Sequence, residues 1–241
     1  MHLIIDVGNT RIKLAIFDGD VLQNLETCTS HTFLEHITKL STSYRVKKAI
    51  VSSVGKLDEV HLRTVQLRFP TVVLKHTTKL PITLDYKTPE TLGVDRIGLA
   101  CAFAKAYPKQ NGLVIDAGSC ITYEFITDEA VYKGGVISPG LQMRYKALHT
   151  NTAGLPLLQP EWPSNEVGDD TKTAIHHGVS TALVFEIEGF IEKYQKYFDI
   201  NTVVITGGDA EYLAKRLKNS IFAHSNFLLE GLNYILTYQN D

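Results

Sequence analysis

The chain predicts an α/β fold made of two related halves, and three observations carry that expectation. LIIDVGNTRIKLAIFDGD (3–20) sets an acid, a glycine and an asparagine between two apolar runs. That is the pattern of a buried strand, a tight turn and a second strand. LVIDAGSCITYEFITDEA (113–130) repeats it, so that sliding back by 110 positions lays Leu113, Val114, Ile115, Asp116, Ala117 and Gly118 on Leu3, Ile4, Ile5, Asp6, Val7 and Gly8. At the same offset Ser119, Ile126 and Asp128 fall on Asn9, Ile16 and Asp18, which reads as an internal duplication. Between and beyond the hairpins, short β-branched runs alternate with helical spacings, as a layered sheet-and-helix architecture requires.

The elements follow in order. After the first hairpin, Val21–Cys28 reads as a strand, Phe33–Leu40 as a helix and Lys47–Val54 as a strand. His61–Arg68 has helical spacing and Thr71–Leu74 is short and extended. Pro89–Tyr107 opens on Pro-Glu-Thr, continues with apolar residues at helical intervals and stops before Pro108. In the second half Val131–Ile137 reads as a third strand, and Ser-Pro-Gly at 138–140 opens a helix to about His149. Residues 151–166, with Pro156, Pro160 and Pro163, read as an irregular connection that Trp162 anchors. Thr171–Tyr197 predicts one helix or two joined helices, and Asn201–Thr206 a strand ending at Gly207-Gly208. Asp209–Lys218 and Phe227–Tyr238 complete the series as helices. Tyr194, Tyr197 and Phe198 share helical spacing and predict core or a subunit contact. With no flexible linker in view, the expected domains are 1–110 and 111–241, packed closely around a ligand cleft.

At 241 residues the length admits one large domain or two modest ones, and 44% hydrophobic residues supply a real core. A net charge of −2 without a basic run argues against a nucleic-acid partner. Cys28, Cys101 and Cys120 are too few and too scattered for a disulfide framework or a zinc site, which suits free thiols in a reducing compartment. Asp6 interrupts the apolar start too early for a signal-peptide core. No stretch approaches the roughly 20 apolar residues of a membrane span. The expectation is a cytoplasmic globular protein with no membrane partner.

An aspartate at a strand end often caps its own turn, and either copy alone reads that way. Two equivalent aspartates, Asp6 and Asp116, expected to converge on one cleft would repel each other unless cations sit between or near them. Gly8 and Gly118 clear side chains from turns that approach something closely, and Asn9, Thr10, Ser119 and Thr122 offer hydrogen-bonding groups. Lys13 adds a positive charge on the strand leaving the first turn. Together these are the parts that a nucleoside triphosphate requires. ITGGDA (205–210) is a strand–Gly–Gly–helix junction that lets a flat group lie against bare backbone. His176 and His177 are adjacent on a helix, so they diverge as ligands and read as surface or interface packing.

Hairpins of the DxGNT and DxG[ST] kind followed by strand–Gly–Gly–helix resemble the phosphate and adenosine motifs of the acetate kinase, sugar kinase, Hsp70 and actin superfamily. Within it the chain resembles type III pantothenate kinase almost end to end. DVGNTRIK (6–13) fits the first phosphate motif, GVDR (93–96) the G-x-D-R and IDAGS (115–119) the second phosphate motif. GGVISPGLQM (134–143), DDT (169–171) and ITGG (205–208) fit the later stretches. The resemblance implies two ribonuclease-H-like (actin-like ATPase) domains related by duplication, with the nucleotide in the cleft between them. It implies ATP-dependent phosphorylation of pantothenate, the first step of coenzyme A synthesis, with Mg²⁺ and K⁺ or NH₄⁺ as cofactors and a homodimer as the assembly.

Carried over residue by residue, the resemblance makes Asp6, Val7, Gly8, Asn9, Thr10, Arg11, Ile12 and Lys13 contacts of the ATP phosphates, with Asp6 helping to hold Mg²⁺. Ser119, Gly207 and Gly208 join the ATP site, and Asp116 holds the monovalent cation. Tyr86, Gly93, Val94, Asp95, Arg96 and Thr171 contact pantothenate, with Asp95 as the catalytic base. Two positions depart from the family: Ser119 where threonine is common, and Cys120 where a small residue such as alanine is. Read from the residues alone, Asp95 is either a base or an ion-pair partner of its neighbour. Arg96 either steadies Asp95 or meets the substrate carboxylate. The rival classes are a ribonuclease-H-like nuclease, which would want three or four carboxylates and a basic groove, and an ATP-dependent regulatory switch.

Overall fold

The computed structural model describes residues 1–55, 57–218 and 221–239. It divides into two compact units. The first holds Met1–Pro108, Ala130–Tyr132 and the chain from Asn226 onward, and the second holds Lys109–Glu129 and Lys133–Ser225.

In the first unit, β1 (His2–Val7), β2 (Ile12–Asp18), β3 (Val21–Cys28), α1 (Phe33–Ser43), β4 (Lys48–Ser53), α2 (Glu59–Arg68) and β5 (Thr71–Val73) build a five-stranded sheet of order β3-β2-β1-β4-β5. β1 runs antiparallel to β2 and parallel to β4, and β4 runs parallel to β5. Alternation along the strands sends Leu3, Ile5, Val7, Leu14, Ile16 and Val51 into a core with Phe33 and Ile37 of α1 and Val65 of α2. The other face carries Ile4, Asp6, Ile50 and Ser52. Next come β6 (Thr83–Leu84), paired with Val131 and Tyr132, and α3 (Val94–Ala106).

The second unit contains β7 (Gly112–Ala117), β8 (Cys120–Ile126), most of β9 (Val131–Pro139), α4 (Leu141–Thr150), α5 (Thr171–His176), α6 (Ala182–Phe198), β10 (Thr202–Thr206), α7 (Ala210–Ala214) and β11 (Phe222–Ala223). Its strands take the order β11-β10-β7-β8-β9. Here too the central strand is antiparallel to the next strand of its hairpin and parallel to the strand on its other side, which pairs with a further parallel strand. Strand for strand this is the topology of the first unit, and a duplicated ribonuclease-H-like fold accounts for both.

The equivalence has a register that a constant offset misses. Val7 pairs with Ile12 across the first turn, whereas Ala117 pairs with Ile121 across the second, which is one residue shorter. Beyond the turns, therefore, Ile126 and Asp128 are not the counterparts of Ile16 and Asp18. Phe125, opposite Leu113, matches Ile16, opposite Leu3.

Other boundaries also move. Pro89–Thr91 forms a separate 3₁₀ turn, and α3 starts at Val94 because Gly93 is extended (φ −57°, ψ 131°) and caps it. The span expected as one helix or two from residue 171 is helical throughout, with a π turn at His177–Thr181 between α5 and α6. α7 ends at Ala214, just past Leu213, the last buried side chain of its stripe. Residues 151–170 form no helix or strand, as the prolines predict. The closing helix α8 (Phe227–Tyr238), expected with the second half, is counted with the first unit. It crosses α3 so closely that a Cβ on Gly231 would collide with the Gly98 carbonyl, so α8 needs glycine there.

Candidate functional site

In the first unit the sheet sets three polar side chains in a row. Asp6, at the end of β1, pairs in register with Lys13 of β2 and with Ser52 of β4. The turn between β1 and β2 closes through a Gly8 N–H bond to the Arg11 carbonyl (3.1 Å), leaving Asn9, Thr10 and Arg11 exposed. Val7 and Ile12 bury their side chains in the core, so within the expected phosphate run only their backbone groups are available to a ligand. Asp95 lies in the first turn of α3, where its Oδ1 accepts the Arg96 N–H at 2.8 Å.

The electrostatics join these groups. Burial lifts the Asp6 carboxyl to about 6; Lys13 pulls against the rise and the charge of Asp95 adds to it. Burial also raises the Asp95 carboxyl, while the Arg96 backbone N–H and guanidinium pull it down. The structure thus brings Asp6, Lys13, Asp95 and Arg96 into one charged neighbourhood. Of the remaining expected residues in this unit, Gly93 caps α3 and Tyr86 packs its ring against buried Tyr132 at 6.0 Å between centroids.

The second unit repeats the arrangement with different chemistry. Asp116, the penultimate residue of β7, pairs with Thr122 of β8 and Thr206 of β10. Gly118 N–H bonds to the Cys120 carbonyl at 2.9 Å, and Ser119 is exposed at the tip of the turn. Gly207 has φ +95°, and a Cβ there would collide with the Ala117 carbonyl and the Asp116 carboxylate. The Gly-Gly backbone therefore lies directly against the acid, with Gly208 exposed beside it. Thr171 is the exposed first residue of α5, a helix capped by Asp170, which accepts the Thr173 N–H at 2.7 Å.

Sequence reasoning missed the strand partners of both acids, Ser52 and Thr206, because only the sheet register reveals them. It also missed a buried pair under α4: His176 is buried with Nδ1 2.7 Å from the Tyr145 hydroxyl, not placed on the surface. His177 turns the other way, to the Asn165 carbonyl at 2.9 Å, so the two rings do diverge. Trp162 stacks on Tyr212 (4.5 Å, 13°), which ties the proline-rich segment down as expected. Tyr194 and Phe198 pack on Phe125, while Tyr197 is exposed.

No group of three or more His, Cys, Asp or Glu is placed to hold a metal by itself among the described residues. Magnesium carried in with a nucleotide needs only one or two carboxylates, since phosphates and water supply the other oxygens. Asp6, with Asp95 in electrostatic range, fits that demand. Beside Asp116 the Thr122 hydroxyl is buried without a hydrogen-bond partner among the described residues, an oxygen suited to a cation.

The repeated topology, an acid near the end of each central strand and the Gly-Gly junction give the chain the two-unit fold of the sugar kinases and actin-like ATPases. An inorganic polyphosphate/ATP-glucomannokinase from Arthrobacter sp. strain KM shares the fold, with a TM-score of 0.54 at 16% identity over 99% of this chain and 100% of that one. The family model for type III pantothenate kinase matches residues 2–193. Type III pantothenate kinase of Flavobacterium johnsoniae is 44% identical over 100% of this chain and 99% of its own. A Baf-family protein of Campylobacter jejuni superimposes with a TM-score of 0.68 at 23% identity, covering 99% of this chain and 98% of that one. The chain belongs to the type III pantothenate kinase family.

Proposed function

We propose that this protein transfers the γ-phosphoryl group of ATP to the primary hydroxyl of pantothenate, giving 4′-phosphopantothenate and ADP at the first step of coenzyme A synthesis. Full-length identity of 44% to a type III pantothenate kinase, with the G-x-D-R at 93–96 in place, carries the reading.

Residues 6–13, Ser119, Gly207 and Gly208 bind ATP; Tyr86, residues 93–96 and Thr171 bind pantothenate. Asp95 orients the alcohol and takes its proton as the oxygen–phosphorus bond forms and the bond to the ADP oxygen breaks. A loose transition state asks little basicity of it, so a carboxylate suffices and in-line positioning does most of the work. The Arg96 backbone bond to Asp95 supports a steadying role for this residue, and its guanidinium remains a candidate partner for the substrate carboxylate. Mg²⁺ at Asp6 and K⁺ or NH₄⁺ at Asp116 supply positive charge to the phosphates when bound. Exposed Phe185 and Tyr197 on α6 support a homodimer through this helix.

The test is ADP release by purified protein given ATP, Mg²⁺ and K⁺, with and without pantothenate. Pantothenate-stimulated release is the expected result, and its absence overturns the reading. ATP binding with no such release would indicate a regulatory protein.

A further inference from the structure

Ser52 is fully buried, and its hydroxyl has no hydrogen-bond partner among the described residues. A buried hydroxyl left unpaired costs stability, so its presence calls for a reason. Its neighbour shows the ordinary outcome, since the Ser53 hydroxyl donates to the Gly55 carbonyl at 2.7 Å.

Position supplies the reason. The parallel ladder sets Ser52 opposite Asp6, and in-register side chains on adjacent strands share a face. Lys13 flanks Asp6 on the other side, so Lys13, Asp6 and Ser52 stand in register across three strands, and the charge of Asp95 acts on the same carboxyl. The segment is held in place, because the Val54 and Gly55 N–H groups both donate to the Val7 carbonyl, at 3.2 and 3.3 Å.

The second unit repeats the device. Thr206 stands opposite Asp116 as Ser52 stands opposite Asp6, and Asp209, three residues on, donates its N–H to the Ala117 carbonyl at 2.9 Å as Gly55 does to Val7. SSVG at 52–55 is therefore the structural counterpart of TGGD at 206–209, the Gly-Gly junction of the second unit.

We propose that Ser52 is a positioning residue for the metal–nucleotide site. Its hydroxyl hydrogen-bonds a water of the magnesium ion that accompanies the nucleotide to Asp6, fixing the orientation of that ion's oxygen shell. The proposal rests on the kinase reading above.

The experiment is calorimetric titration of Ser52→Ala with a non-hydrolysable ATP analogue, in Mg²⁺ and in EDTA, alongside thermal melting of the free protein. Ser52→Cys, close in size but a weak donor, serves as the second variant. Both should melt no lower than the parent, since the orphaned hydroxyl is gone or weakened. Affinity for the magnesium-bound analogue should fall about tenfold, the loss of one charge-assisted hydrogen bond. Metal-free binding should stay within about twofold, well under that single-bond loss. Unchanged affinity in Mg²⁺, or equal losses with and without the metal, overturns the role of Ser52. A parent protein that binds the analogue no better in Mg²⁺ than in EDTA overturns the role as well. Absence of pantothenate-dependent ADP release from that parent protein is the separate result that removes the kinase reading.

Discussion

Lys13 stands opposite Asp6 in the β1–β2 ladder, and the residue in the same place opposite Asp116 is Thr122. The duplicated hairpins thus differ at the position that neutralises the acid. In the first unit the protein supplies the positive charge. In the second it supplies a hydroxyl oxygen, that of Thr122, a donor suited to a cation.

That difference predicts the ion dependence. Replacing K⁺ by Na⁺ should depress turnover, and Thr122→Val should weaken K⁺ activation while sparing the fold. Initial rates across a K⁺ titration measure both. Indifference to the swap argues against Asp116 as the monovalent-cation residue.

Asp95→Asn should lower turnover by about 10²–10⁴, the usual contribution of a general base, and leave ATP binding largely intact. Steady-state rates with calorimetric ATP titration separate the two effects. A variant that has lost its near-ultraviolet dichroism would show Asp95 to be structural instead.

Asp6 is held at a cost to the fold. Its carboxyl rises from 3.8 to about 6 on folding, so the folded chain binds this proton more tightly than the unfolded chain. Its contribution is therefore fullest below about pH 4 and is lost as pH climbs towards 6. Asp6→Asn should raise stability at pH 7 in EDTA by about 1–3 kcal/mol, at roughly 1.4 kcal/mol for each tenfold difference in proton affinity between folded and unfolded chain. Urea unfolding should show the gain vanish near pH 4, and a gain of equal size at both pH values would refute the burial argument.

Gly207 and Gly208 make a matched pair. Gly207→Ala meets the Ala117 carbonyl and the Asp116 carboxylate at a positive φ, and should cost about 2–3 kcal/mol with loss of nucleotide binding. Gly208→Ala meets nothing within 4 Å and should unfold within about 0.5 kcal/mol of the parent. Equal stability of the two variants would mean that the Gly-Gly backbone does not press on the acid.

The amino-acid order by itself determined the local elements and the motifs on them. Unbroken apolar runs such as Leu3–Ile5 and Leu113–Ile115 specify buried strands, and Gly207-Gly208 punctuates the end of β10, whereas the start of α3 at Val94 rather than Pro89 came only from the structure. These signals are short-range, so neighbouring residues suffice to express them. Tertiary structure alone decided the ladder that puts Ser52 beside Asp6, the shorter second turn that makes Thr122 the counterpart of Lys13, and the Gly98–Gly231 crossing that seats α8 on α3. It also took His176 into the interior, onto Tyr145, from 31 positions along the chain. The physical reason is that register and packing join residues distant in sequence, and a local pattern says which face a side chain occupies but not what stands opposite it.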